Sequence, residues 1–177
     1  MVTPEPYGRR FLARFTVSGH DIQLFLHLLI SCALAAVTVF LHAVGFHVLL
    51  RSLIKSHALT KSGFWPVTRY VVGLSCWLIL IHLAEIMVWG LSYFWLGCLP
   101  DATSACYFSG VTYTTLGYGD LVLPMAWRVL APMEALTGIL MCGLSTGLFF
   151  AVVNVWIVNW VKRENALGSQ RPAPSNE

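Results

Sequence analysis

Long apolar stretches alternate along this chain with short polar ones, at a period set by neither a strand nor one turn of a helix. Three stretches, 22–54, 67–99 and 128–161, are dominated by Leu, Ile, Val, Ala, Phe and Trp. Each exceeds the roughly 20 helical residues needed to cross about 30 Å of hydrocarbon. Each is therefore predicted as a transmembrane helix, with spare length for tilt or a projecting end. Pro66 suits the first turn of the second helix, and Lys162 with Arg163 marks where the third leaves the membrane. The segment 1–21 is polar and lacks a short apolar run before a small-residue cleavage site, so no removable signal peptide is expected. The tail 164–177, with Pro172 and Pro174, reads as disordered.

The stretch 100–126, between the second and third spans, has a different pattern. Pro100 and Asp101 open it, and Thr103 and Ser104 are candidate helix caps. A short apolar and aromatic helix is predicted over 105–114, which at about 1.5 Å per residue is too short to cross a bilayer. Then comes TTLGYGD, 114–120, with two glycines and no Lys or Arg, followed by Pro124 and Trp127. The pattern is that of a re-entrant loop that goes down by helix and returns by extended backbone. Non-helical backbone at membrane depth is tolerated only where it is buried in protein or lines a water-filled path. The loop is therefore expected to face a pore.

Composition agrees with the pattern: 57% of the residues are hydrophobic, 11% are charged, and the mean hydropathy is +0.71. A water-soluble globule would have nowhere to put so much apolar surface. The chain reads as one all-α membrane domain without repeat or heptad. No nucleophile with its base, Walker loop or dinucleotide fingerprint is visible, so no enzyme is expected. No helix carries Arg or Lys at every third position, so a voltage sensor is not expected either. There is no room for a cytoplasmic nucleotide- or ion-binding domain, and no nucleic-acid partner is anticipated.

The run Thr112-Tyr113-Thr114-Thr115-Leu116-Gly117-Tyr118-Gly119-Asp120 resembles the T-x-T-T-V-G-Y-G-D signature of potassium channels, with Leu116 where Val is usual. The likeness spans roughly 67–160 and has the order outer helix (67–99), pore helix and filter (103–120) and inner helix (128–161) of the tetrameric cation-channel superfamily. More narrowly, the chain resembles small bacterial ion-channel proteins with three transmembrane helices. The resemblance implies stacked cation sites made by the backbone carbonyls of Thr115, Leu116, Gly117 and Tyr118 and by the Thr115 hydroxyl, with Gly117 and Gly119 allowing the backbone its conformation. One such strand cannot surround an ion, and the chain has only one, so a homotetramer about a four-fold axis is expected. Permeant K⁺ is the only implied metal, and no cofactor is.

The same resemblance assigns supporting roles. Thr112 and Asp120 flank the filter, and two aromatic positions that brace it in related channels fall on Tyr107 and Phe108. Tyr107 has a hydroxyl for Asp120 or a neighbouring Tyr118. Phe108 lacks a donor, and both rings have the alternative of filling space against lipid and neighbouring helices. Val111 stands where some channels have a buried Glu. On the third helix Gly138 falls near the hinge glycine of two-helix potassium channels, and for Gly138, Gly143 and Gly147 both hinge and close packing are open. Cys142, Thr146 and Phe150 recur every four residues and are candidates for the cavity below the filter.

Two acids lie in apolar surroundings, Glu85 and Glu134, with His82 one turn before Glu85. Charges at membrane depth face protein or water, pair, or are protonated. Either a titratable brace joining outer, inner and pore helices or a satisfied structural network fits. Cys98 and Cys106 both fall near the expected outer mouth, where a disulfide or two free thiols are the alternatives. His27, His42 and His47 do not share a helical face, so no metal site on the first helix is expected. Arg51, Lys55, Lys61 and Arg69 in the first link, with Lys162, Arg163 and Arg171 at the C-terminus, put those regions inside by the positive-inside rule. The filter mouth then faces out and the C-terminus is cytoplasmic, in an inner or plasma membrane, although Arg9, Arg10 and Arg14 oppose the external N-terminus that three spans require. The expected function is a homotetrameric potassium-selective channel in contact with membrane lipid. A non-selective cation pore and a non-conducting membrane subunit are the alternatives.

Overall fold

The structure, a computed structural model, describes residues 19–56 and 64–169. The segment 1–18, Lys61 in the link and the tail from residue 170, Arg171 included, lie outside the described residues. Four α-helices follow in order: α1 (Gly19–Lys55), α2 (Phe64–Trp95), α3 (Ala102–Tyr113) and α4 (Leu130–Ser169), with a single 3₁₀ turn over Met125–Trp127 ahead of α4. There is no strand among the described residues. Three helical stretches, Asp21–Lys55, Trp65–Trp95 and Met125–Ala166, are long and apolar enough to cross a membrane. Most of the large apolar side chains on them face outward, as a lipid-facing surface would require.

The helix ends depart from the pattern-based reading in three places, each for a local reason. First, α2 stops at Trp95 rather than running to 99. Gly97, at φ +67, takes the left-handed conformation, and its N–H donates to the Phe94 carbonyl (3.0 Å) while the Cys98 N–H donates to the Tyr93 carbonyl (2.9 Å). That crossed pair is a Schellman stop, which satisfies two of the carbonyls that a helix end leaves without partners. Second, α3 is capped not by Thr103 or Ser104 but by Asp101, whose carboxylate accepts from the Ser104 N–H and from its hydroxyl, both at 2.8 Å. These bonds hold the Asp101 carboxyl below its usual range. Third, α4 continues to Ser169, so the residues from Glu164 to that point are helical where disorder was expected.

Packing between helices relies on small residues and on individual polar contacts, since lipid offers no hydrophobic drive for one helix to leave it for another. α1 lies against both α2 and α4. Its Gly45 admits Ile81 of α2 so closely that a Cβ there would come within 2.6 Å of the Ile81 Cδ1, and the Gly45 carbonyl accepts from the Trp77 indole at 3.1 Å. Thr38 of α1 accepts from the buried Trp89 indole at 3.0 Å. His27 stacks on Trp127 at 4.2 Å between ring centres. α3 sits in the angle between α2 and α4, where Gly90 lets the Cys106 backbone come within 2.8 Å of where a Cβ would stand. The disulfide considered for Cys98 and Cys106 is not formed. Cys98 is buried in an apolar cluster with Trp89, Tyr93 and Phe108, and burial pushes its thiol up in pKa, while Cys106 faces Gly90.

Candidate functional site: the glycine loop and the carboxylates behind it

The glycine loop leaves α3 through two hydrogen bonds to one carbonyl. The Leu116 and Gly117 N–H groups both donate to the Val111 oxygen, at 2.9 and 3.3 Å, and Thr115 N–H donates to the Thr112 oxygen at 2.9 Å. Beyond this turn φ is positive at Thr115 (+60), Gly117 (+59) and Gly119 (+77), and at no other non-glycine residue described. Leu116 and Tyr118 between them keep negative φ, so the sign alternates along the strand. A Cβ at Gly117 or Gly119 would meet nothing within 4 Å. Glycine is therefore required by backbone conformation rather than by space. Thr115, β-branched and at positive φ, is a strained position of the kind concentrated at functional sites, at a cost of about 1–3 kcal/mol.

Residues 114–120 are exposed on the single chain. Behind them a cavity of about 390 Å³ is bounded by Phe108, Val111 and Thr112 of α3, by the loop itself, and by Ala131, Pro132 and Ala135 of α4. Tyr107, one of the two expected braces, donates to Asp120 at 2.8 Å across the loop, and that bond raises the Tyr107 phenol above its usual range. Phe108 turns the other way. It is buried and meets Tyr93 edge-on at 5.3 Å between ring centres, so it packs α3 onto α2 as well as lining the cavity. Arg128 donates to the Leu123 carbonyl at 3.2 Å, fastening the return of the loop to the start of α4.

Gly138 of α4 sits directly beneath the C-terminal end of α3, where an added Cβ would fall on the Tyr113 carbonyl. Close approach is thus the observed role of Gly138. Gly143 and Gly147 meet nothing from their own chain within 4 Å. Cys142, Thr146 and Phe150 are exposed on the same helix, and the Thr146 hydroxyl donates back to the Cys142 carbonyl at 2.9 Å.

The two intramembrane acids, both fully buried, belong to separate networks rather than to one brace. Glu134 of α4 accepts from Tyr93 of α2 at 2.7 Å and from Ser109 of α3 at 2.5 Å. Glu85 of α2 accepts from the Tyr113 hydroxyl of α3, lies 3.2 Å from His82 Nδ1 as expected, and lies 2.7 Å from the Nδ1 of His42 on α1. Ser145 of α4 meets both rings, at 3.4 Å from His42 Nε2 and 3.0 Å from His82 Nε2. No buried side-chain nitrogen or oxygen among the described residues lacks a partner. Sequence reasoning found Glu85, His82 and Glu134 but missed His42, Tyr93, Ser109, Tyr113 and Ser145. The available signal was that each is a polar group inside an apolar helix, where a partner is obligatory. The α1 histidines weighed above as a metal site go separate ways: His27 to Trp127, His42 to Glu85, and His47 to the exposed surface.

Residues 70–155, just under half of the chain, match a family model described as an ion channel. The match begins inside α2, ends inside α4 and contains α3 with the glycine loop, which supports an ion-channel family for this region. No curated protein and no solved structure matches the chain. The described residues are helical without strands, three of their helices are long and apolar enough to cross a membrane, and the match supports an ion-channel pore-type domain over 70–155, which points to transport rather than catalysis.

Proposed function

We propose that the protein is a potassium-selective channel in which four copies of the chain bring their glycine loops to a common axis. The observation that carries this reading is the alternation of φ sign at Thr115, Leu116, Gly117, Tyr118 and Gly119 in a loop exposed on the single chain. An ordinary strand points successive carbonyls to opposite sides. Alternating left- and right-handed residues turns successive peptide planes so that their carbonyls share one side. Four such rows of oxygens facing an axis replace the hydration shell of K⁺ and pass ions by repulsion between adjacent sites.

The supporting residues take roles on this reading. Thr115, Leu116, Gly117 and Tyr118 hold the ion, with Thr115 adding its hydroxyl. Thr112 anchors the turn, and the Tyr107–Asp120 bond holds the outer part of the loop. Cys142, Thr146 and Phe150 line the path below the filter. On this reading the filter mouth faces outside and the C-terminus the cytoplasm of an inner or plasma membrane, which the lysines and arginines flanking α1, α2 and α4 support.

The test is flux from the purified protein in liposomes carrying a K⁺ gradient, with Gly117→Ala as the blank. K⁺ flux well above Na⁺ flux, and lost in the blank, is expected. Equal Na⁺ flux would instead make this a non-selective cation pore, and the absence of any flux across pH and lipid composition would leave a non-conducting subunit.

A further inference from the structure

We propose that His42, His82 and Glu85, with Tyr113 as a fourth donor, form a binding site for one transition-metal dication of the Zn²⁺ class, joining α1 to the foot of the glycine loop. Ligand atoms of the two histidines and the glutamate all lie within 4.8 Å of one another. His42 Nδ1 and His82 Nδ1 approach different oxygens of the one carboxylate, at 2.7 and 3.2 Å. The Tyr113 hydroxyl stands 3.0 Å from His82 Nδ1 and also touches Glu85. Zinc binds imidazole nitrogen and carboxylate oxygen at about 2.0–2.2 Å in tetrahedral geometry, which sets neighbouring ligand atoms about 3.4 Å apart. The His42–Glu85, His82–Glu85 and Tyr113–His82 separations need to open by about 0.2 to 0.7 Å and the shorter Tyr113–Glu85 contact by more, which side-chain rotation can supply.

The side of the rings away from Glu85 supplies the independent argument. Both Nε2 atoms point at a single oxygen, Ser145 Oγ. If each neutral ring donates Nδ1–H to Glu85, both Nε2 atoms are acceptors, and the serine has one proton to offer them. One ring is then left facing an oxygen lone pair. A cation on the Glu85 side resolves the conflict. With the Nδ1 lone pairs turned to a metal, both Nε2–H groups donate to Ser145 Oγ, which has two lone pairs to receive them. A hydroxyl or carbonyl that fixes the second nitrogen of a metal-bound histidine is the usual outer partner of such sites.

The donor set selects the ion. Two imidazoles with two oxygens suit zinc and its neighbours, whereas Mg²⁺ and Ca²⁺ prefer all-oxygen shells. Glu85 sets one negative charge against the dication at membrane depth, and the Tyr113 oxygen stands beside it as a neutral donor. His82 keeps 18% of its side-chain surface exposed and gives the ion its way in. Binding ties together α1 through His42, α2 through His82 and Glu85, and α3 through Tyr113, two residues before Thr115.

This assignment does not depend on conduction, because its test reads metal and not flux. The detergent-purified full chain is loaded with Zn²⁺, washed in excess Mg²⁺ and Ca²⁺, and assayed for metal. About one zinc per chain is expected in the wild type. It is expected to be lost in His42→Gln and in His82→Gln at unchanged assembly size, and held about 10- to 100-fold more weakly in Ser145→Ala. Co²⁺ loaded into the wild type alone serves should a variant fail to fold, and the intense visible absorption of a four-coordinate site is expected. Zinc retained unchanged in both histidine variants, a wild type that holds none, or the weak absorption of six-coordinate Co²⁺ overturns the proposal.

Discussion

At the scale of single residues, two glycines with nearly the same φ have opposite consequences. Gly97 (+67) ends α2 and Gly117 (+59) shapes the loop, and neither has a neighbour within 4 Å of an added Cβ. An L-residue in the left-handed region costs about 1–2 kcal/mol at either site. Gly97→Ala is therefore expected to lower thermal stability by about that amount while leaving the K⁺-to-Na⁺ flux ratio alone. Gly117→Ala is expected to abolish K⁺ flux in a chain that still assembles, and retained selective flux would sink the filter assignment. Asp101 gives a pH effect of definite sign. Its folded pKa is depressed by the two bonds from Ser104, so its contribution to stability is present above the unfolded pKa and is lost as pH falls through the lower, folded value. Asn caps equally well without titrating, so wild type and Asp101→Asn are expected to melt alike in neutral buffer and to diverge as the buffer is taken down through the carboxylate range, the wild type falling below the variant. The sequence alone gave little notice of this cap, because Asp101, Thr103 and Ser104 all have side chains able to accept from a helix N-terminus. Only backbone geometry says which one stands outside the first turn.

At the scale of elements, the long apolar helices, the short re-entrant helix and the glycine loop were readable, because each follows from the bilayer thickness or from a local backbone demand. What joins them was not. Tyr93 and Ser109 lie 41 and 25 residues from Glu134, and His42 lies 43 from Glu85. No periodicity links positions on different helices, and apolar segments all but uniform in character give no face to orient. Mutation exposes these joints. Glu134→Ala leaves the Tyr93 and Ser109 hydroxyls buried without their acceptor, at roughly 1–3 kcal/mol for each, and a correspondingly early unfolding transition in detergent is expected. Gly138→Ala drives a methyl into the Tyr113 carbonyl. Overpacking of this kind costs about 1–3 kcal/mol, and here it pushes on the end of the helix that carries the loop. Loss of flux is expected together with loss of stability, whereas a hinge glycine would alter opening and leave the melting temperature alone. An unchanged melting temperature in Gly138→Ala would therefore return Gly138 to the hinge reading.

At the scale of the whole molecule, the single chain leaves one particular surface open. Its loop residues 114–120 are exposed, the 390 Å³ cavity behind them is open, and Cys142, Thr146 and Phe150 present an exposed polar and aromatic face among the described residues. A lipid tail against that loop would leave the carbonyls of 116–119 and the amides of 118 and 119 without partners, at several kcal/mol for each group. Water and ions on one side and protein on the other are the arrangement that removes the penalty, and a ring of chains provides both. Four chains are the number proposed for a ring that replaces the hydration shell of K⁺. The detergent-corrected mass of the purified complex is accordingly expected at four times the chain mass of 19.6 kDa. α1 packs against α2 through Trp77, Trp89 and the His42–Glu85 contact, and meets α4 where Ser145 approaches His42. Removing residues 1–56 should therefore unseat the Glu85 network before it unseats the ring. A truncated protein that still gives a four-chain mass, but with a lowered melting temperature, would separate the role of α1 in holding each subunit from the role of the loop and α4 in joining subunits. A monomeric truncated protein would instead make α1 part of the interface between chains.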